Sequence, residues 1–516
     1  MELMKRNIHM DCQKCKASTQ ITMEGDINIS DSRPDAHKLI MDKGNLDIEE
    51  VKVSDDHVNV KGKLCFQVLY LTEEEKRDMA GMDGNIPFEE QIYMEGVRSG
   101  DDVLLEWDIE DLTVGLINSR KLSVQALVML CATCEELCDE ETAVDLSCDE
   151  PVEYRKKTLD IAAMVMRKKD IFRVKEEVEI PGSFPNIFSL IWWDISPVNV
   201  EFKMLADKIA VQGEIKAFFL YRGEGEEERI CHYETTLPFS GSVDCMGAEE
   251  GMIPEIRYVA EVKEAQARPD FDGEERVITF ELCLNLDICA YEEEQLSLLS
   301  DVYGVVKEIS VSEREANFRK LFAKCSGKTK ISEHFKVEEG AKIGKILHSS
   351  AKLQISDKEI VENGIEISGA IHLHVLYENM AEESYGMIKE SIPFDYVLEA
   401  DGISEHCVFT LSGDVEQMAV SVIDSDEIDV KCVLFFRTNI YRKWTEKIVE
   451  QVTATELDGE KMSALPGIAV YMVRDGESLW DIGKRYYVPV ASLMQMNNLA
   501  SDEVKAGDRI LIVKNV

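Results

Sequence analysis

The recurring hydrophobic pattern of this chain is alternation with a period of two. Val58, Val60, Leu64, Phe66 and Val68 are separated by polar residues, except that Gly62 stands in the middle of the run. Residues i, i+2 and i+4 of a strand share a face, so the segment predicts a long strand with one buried side. A glycine inside it signals a bulge or a close backbone approach. The same block returns twice, as Ile209 to Tyr221 around Gly213 and as Ile365 to Tyr377 around Gly369, with a tyrosine eight residues after each glycine. A second block follows in register: Ile86-Pro87-Phe88, Leu237-Pro238-Phe239 and Ile392-Pro393-Phe394, with Gly-to-Pro spacings of 25, 25 and 24. Further alternating runs close each unit, such as Leu122-Ser-Val124-Gln-Ala126 and Ile428-Asp-Val430-Lys-Cys432.

Internal repetition of this kind sets the architecture. The expected fold class is mainly β: three tandem β-sandwich-like repeats at 16–145, 157–292 and 315–444, with the glycine, tyrosine and Pro-Phe residues as core and turn positions. Gln295 to Phe322 mixes charge and apolar residues in a way that fits a helical connector. Residues 445–468 read as a linker.

From Tyr471 the period changes. Tyr471-Met-Val473 is a short strand, and Ser478 with Asp481 three residues on forms a capping box ahead of Leu479, Ile482 and Tyr486 on one helical face. Val488-Pro489-Val490 turns into a second helix with Leu493 and Met496 inward, Asn497-Asn498-Leu499 ends it, and Gly507 to Ile512 closes with a strand. The result is a βααβ domain at 469–514. It resembles the LysM domain, whose opening Tyr-x-Val-x-x-Gly-Asp-Thr-Leu, Asn-x-Leu after the second helix and closing Gly-x-x-Leu-x-Ile it follows closely. Glu477 stands in place of the usual aspartate, and Tyr487 where a small residue often takes positive φ. The resemblance implies a groove lined by Asp475, Gly476, Glu477, Ser478, Leu479 and Trp480 on one side and by Asn498, Leu499, Ala500 and Ser501 on the other.

Composition narrows the function. The 516 residues exceed one hydrophobic core. With 100 acidic against 57 basic residues the formal charge is −43, which repels phosphate backbones and anionic lipid, so nucleic acid is excluded as a partner. Lys5 and Arg6 are followed by no apolar signal region, and Ile187 to Trp193 is too short to span a bilayer. An unsecreted protein without membrane insertion is therefore expected. Fourteen cysteines in such a chain are expected as reduced thiols. Cys12, Cys15, Cys131 and Cys134 form two C-x-x-C pairs that could close a tetrahedral zinc site, although their separation is far from zinc-ribbon spacing. The nine histidines fall into no H-E-x-x-H arrangement, and neither a nucleophile elbow nor a phosphate loop follows a strand. No enzyme activity and no cofactor are expected.

Tandem copies of this repeat ahead of a terminal LysM resemble the SPOCS-repeat, SipL-type family of spore-coat morphogenetic proteins. That resemblance implies a non-enzymatic scaffold in the mother-cell cytoplasm, at the forespore surface. It implies docking of the LysM domain to the SpoIVA-type ATPase of the coat's basement layer, and recruitment of other spore-coat proteins. The alternative is a cell-wall protein that binds peptidoglycan or its N-acetylglucosamine chains.

Overall fold

In the computed structural model, residues 1–73, 78–225, 229–337, 339–458 and 466–513 are described, with backbone alone at 11–13 and 136–138. The first repeat consists of β1 (Glu2–Asn28), β2 (Ala36–Ser54), β3 (His57–Thr72), β4 (Met79–Tyr93), β5 (Val103–Asn118) and β6 (Lys121–Ser147). The second has β7 (Val152–Glu179), β8 (Ile187–Leu205), β9 (Lys208–Gly223), β10 (Ile230–Asp244), β11 (Ile253–Pro269) and β12 (Glu275–Gly304). The third has β13 (Lys307–Lys336), β14 (Ile343–Val361), β15 (Gly364–Asn379), β16 (Ser384–Glu399), β17 (Cys407–Asp424) and β18 (Glu427–Glu456). Each repeat forms two three-stranded antiparallel sheets: an inner one ordered β2-β3-β4 and an outer one ordered β1-β6-β5, with the same orders in the other two copies. The two sheets of a copy enclose one hydrophobic core.

The repeated sequence blocks meet across strands. Gly62 pairs in register with Phe88, Gly213 with Phe239 and Gly369 with Phe394. A Cβ on Gly369 would lie 2.1 Å from the Gln354 carbonyl oxygen and 3.0 Å from the Phe394 ring, so only glycine admits both neighbours. The strand opposite shifts register there, at Ile48/Glu50, Val198/Glu201 and Ile355/Asp357. Tyr70, Tyr221 and Tyr377 are buried, and the hydroxyl of Tyr70 donates to the Pro34 carbonyl at 3.0 Å.

The three inner sheets close a ring with approximate threefold symmetry. Gly81 of β4 lies against the Ile191 carbonyl of β8, Lys345 of β14 reaches His232 of β10 at 3.4 Å, and Lys389 of β16 pairs with Asp42 of β2 at 3.6 Å. Met41, Leu69, Trp192, Phe218, Leu220 and Leu376 fill the seam. Within it Asp194 receives Lys43 and, at 3.0 Å, Nε2 of the buried His348, on which Phe218 stacks at 4.0 Å. Burial alone would raise the Asp194 carboxyl, but the Lys43 charge and the hydrogen bond with His348 outweigh it and hold the group below the usual carboxylate range.

Beyond the sandwiches, the long strands of each repeat run on as paired ribbons, and the three ribbons pack on one another. Ile8, Leu159, Ile161, Leu296, Leu298, Phe318 and Ile448 form their common core. This corrects the expected helical connector. Gln295 to Phe322 is the end of β12 and the start of β13, because Leu296 and Leu298, two apart, are both needed on the ribbon's buried side. The ribbons also carry the structure past the expected repeat limits, back to Glu2 and on to Glu456, so only the end of 445–468 is left to link. Within that end, 459–465 lies outside the described residues. Among the described residues no helix is long and apolar enough to cross a membrane.

Candidate functional site

The C-terminal module consists of β19 (Ile468–Met472), α1 (Leu479–Tyr486), α2 (Val490–Met496) and β20 (Arg509–Val513), with β19 and β20 antiparallel. Its core is Val473, Leu479, Ile482, Val488, Leu493, Ile510 and Ile512. Met494 and Leu499 pack against this cluster, so Met494 takes the inward place expected of Met496.

The capping box forms: the Ser478 side chain accepts from the Asp481 N–H, and the Asp481 carboxylate accepts from the Ser478 N–H at 2.9 Å. Gly476 supplies positive φ in the turn before it. Tyr487 adopts φ 57° at the helix end, the left-handed position that its place in the pattern demands. Glu477 is held on three sides. It accepts from the Tyr471 hydroxyl at 2.8 Å, from the Arg474 N–H at 3.1 Å and from Arg485 at 2.8 Å. These bonds, that of Tyr471 first, lower its carboxyl to about 2.

The ten residues expected to line the groove fall into three groups. Leu479 is fully buried in the module's core. Glu477 and Ser478 are half-buried and engaged as described, and Leu499 is half-buried. Asp475, Gly476, Asn498, Ala500 and Ser501 are exposed and form an open rim. Close by in sequence, Ile468, Val470 and Met472 of β19 are exposed, as is Leu511 opposite Val470.

Trp480 is only 7% exposed, yet it is not part of the module's core. Its ring meets Tyr303 edge-on at 4.8 Å, the Arg155 guanidinium lies 5.0 Å from its centre, and its Nε1–H donates to Asp301 at 2.8 Å. Lys484 binds the other oxygen of Asp301 at 2.6 Å, and the Tyr303 hydroxyl donates to the Val488 carbonyl at 2.9 Å. Gly483 makes room for Tyr303, since a Cβ there would come within 2.6 Å of its hydroxyl. Pro489 offers α2 no side-chain cap, and Glu153 of β7 accepts from the Val490 N–H in its stead. The module is thus seated on the ends of β7 and β12. Sequence reasoning missed this seat because Glu153, Arg155, Asp301 and Tyr303 lie far away in the chain.

The cysteines are brought together in part. Cys15 and Cys134 are directly opposite each other on β1 and β6, while Cys131 pairs with Ser18 and the side chain of Cys12 lies outside the described residues. Among the described residues, no group of three or more His, Cys, Asp and Glu side chains could hold a metal ion.

A SipL, SPOCS-domain family model matches residues 35–117, 186–267 and 342–423, and a LysM-domain model matches residues 471–513. Each of the three SPOCS matches spans the inner sheet and the first strand of the outer sheet that follows it. The uncharacterized protein YkzQ of Bacillus subtilis (strain 168) is 44% identical over 43 residues, 8% of this chain and 57% of that protein, so the chain spans little more than half the length of this curated relative. No solved structure matches.

Proposed function

Because this chain belongs to the SipL family of SPOCS-domain proteins and carries a LysM domain, and is thus a non-enzymatic spore-coat scaffold, we propose that its LysM domain docks the SpoIVA-type ATPase of the coat's basement layer. The three SPOCS repeats then recruit further coat proteins, in the mother-cell cytoplasm at the forespore surface. Several weak sites on one body combine into avidity, which suits a scaffold.

The observation that carries the reading is the division of the LysM surface. Trp480 and its neighbours are occupied by the scaffold itself, whereas the rim at Asp475, Gly476, Asn498, Ala500 and Ser501 is open, and β19 offers Ile468, Val470 and Met472 beside it in sequence. Exposed apolar residues grouped on one strand favour a protein partner over a glycan. The Glu477 carboxylate, on one wall of the groove, is already committed to Tyr471, Arg474 and Arg485.

A titration of the full chain against the basement-layer ATPase, run beside one with soluble chitooligosaccharide, tests this. Saturable binding to the ATPase is expected, and Ala500→Arg, on the exposed rim, should weaken it about tenfold or more, a loss of ~1.4 kcal/mol or greater. Binding to chitooligosaccharide alone would assign the groove to N-acetylglucosamine glycans.

A further inference from the structure

We propose that Cys15 and Cys134 are a modification site: an oxidisable thiol pair that closes into a cross-strand disulfide and staples the first repeat where its sandwich passes into its ribbon. Both are free thiols, and they are direct partners in the β1–β6 ladder, next to the register shift at Gln13/Cys15. Directly opposed residues of antiparallel strands have Cα atoms about 4.5–5.5 Å apart. A disulfide spans about 4.4–6.8 Å, so the bridge needs no strand movement. The Cys134 thiol is within hydrogen-bonding reach of Cys15 and 3.7 Å from the Asp101 carboxylate.

The pair is peculiar to the first repeat. The same ladder position holds Met166 opposite Ala290 in the second repeat and Ala323 opposite Ile440 in the third. Packing alone is therefore satisfied there by apolar residues, with no thiol on either strand. Elsewhere in the ladders each described cysteine faces a different residue type: Cys65 faces Asn45 and Asn85, Cys289 faces Glu255 and Arg167, and Cys432 faces Ile331 and Met418.

The oxidant required is a low-molecular-weight disulfide. The half-exposed Cys15, as thiolate, attacks one sulfur of that disulfide, forming a mixed disulfide and releasing one thiolate. Cys134 then loses its proton and attacks the Cys15 sulfur, forming the internal bond and releasing the second. Two protein thiols and one disulfide become one protein disulfide and two small thiols. Burial, followed by the Asp101 charge, pushes the Cys134 thiol up to about 12. The second step is therefore the slow one, and it should accelerate about tenfold for each unit of pH between 7 and 9. The bridge joins the first and last strands of the first repeat and encloses most of its chain, and in the chain-entropy account a long closed loop restricts the unfolded chain most.

The test is to incubate the reduced full chain with oxidised glutathione, quench with acid, digest and map linked peptides by mass spectrometry. A peptide joining Cys15 to Cys134 is expected in the native chain and in Cys131→Ser, and absent from Cys15→Ala and Cys134→Ala. Alanine stands at the corresponding places in the third and second repeats, so both variants should fold. The oxidised native chain should melt at a higher temperature than the reduced chain, and dithiothreitol should reverse the shift. Glutathione retained on Cys15 with no internal bridge, or Cys134 linked instead to Cys131 or Cys12, would overturn the proposal.

Discussion

The interior of each sandwich and the seam where the three sandwiches meet are built on opposite rules. Inside the sandwiches the copies agree: glycine faces phenylalanine at 62/88, 213/239 and 369/394, and a buried tyrosine stands at 70, 221 and 377. Along the seam the copies differ. Corresponding positions hold Met41, Trp192 and His348 in one layer, and Lys43, Asp194 and Ser350 in the next. A sandwich must only recognise its own strands, so one solution serves three times. A ring of three unlike units must also fix which unit neighbours which, and a buried cation–anion–imidazole contact made by one residue from each copy does so. Charge pairs are better suited to specifying a register than to adding stability.

The seam is the place to strike first. Asp194→Ala leaves Lys43 and His348 without their shared acceptor; removing one partner of a buried pair costs several kcal/mol, reduced here because Lys43 is open to solvent, so about 2–3 kcal/mol is expected in denaturant unfolding. The pH dependence has a definite sign. The folded Asp194 carboxyl is depressed, so its contribution is full above the unfolded aspartate value near 3.9 and is lost as pH falls through the lower folded value. The stability difference between the native chain and Asp194→Asn should therefore be constant near neutrality and narrow below about pH 4.

Within the sandwich, Gly369→Ala forces a Cβ onto the Gln354 carbonyl and should cost about 1–3 kcal/mol of stability by thermal or chemical unfolding. Gly182→Ala, with open space around it, is the matched control and should change little.

At the module's seat, Trp480→Ala removes the ring packed on Tyr303 and Arg155 and the bond to Asp301 while sparing the module's core. It should weaken docking by about 2 kcal/mol, seen as faster hydrogen exchange at the Val490 N–H, which Glu153 of the seat holds, while the Val488 N–H, bonded to the Gly483 carbonyl inside the module, stays protected. The smallest effect is that of Glu477→Gln, which loosens the tie among Tyr471, Glu477 and Arg485. With the carboxyl lowered to about 2, the contribution of Glu477 is present above the ordinary value near 4.5 and lost as pH falls toward 2, so the variant and the native chain should converge in acid.

Much of this was legible in the sequence, and the missing parts share a cause. Period-two alternation gave the strands, and the fixed Gly-to-Pro spacing reported a real cross-strand pair of glycine and phenylalanine. The capped helix at Ser478 was visible because its signals are local. The local sequence around Leu296, Leu298 and Phe318 is compatible with a helix, because the partners that make these residues strands sit on other ribbons, at Ile8, Ile161 and Ile448. The place of Trp480 in the LysM pattern points to an outward groove for the same reason: its partners come from β7 and β12, and nothing near position 480 announces them.

The division of the LysM surface into a seated side and an open rim is the central claim, and the affinity of full-length Trp480→Ala for the basement-layer ATPase tests it most directly. The account predicts an affinity within about twofold of the native chain, under 0.5 kcal/mol, since Trp480 serves the scaffold's own seat. Loss of binding by a variant whose module remains folded would contradict it, and would make Trp480 the partner's anchor.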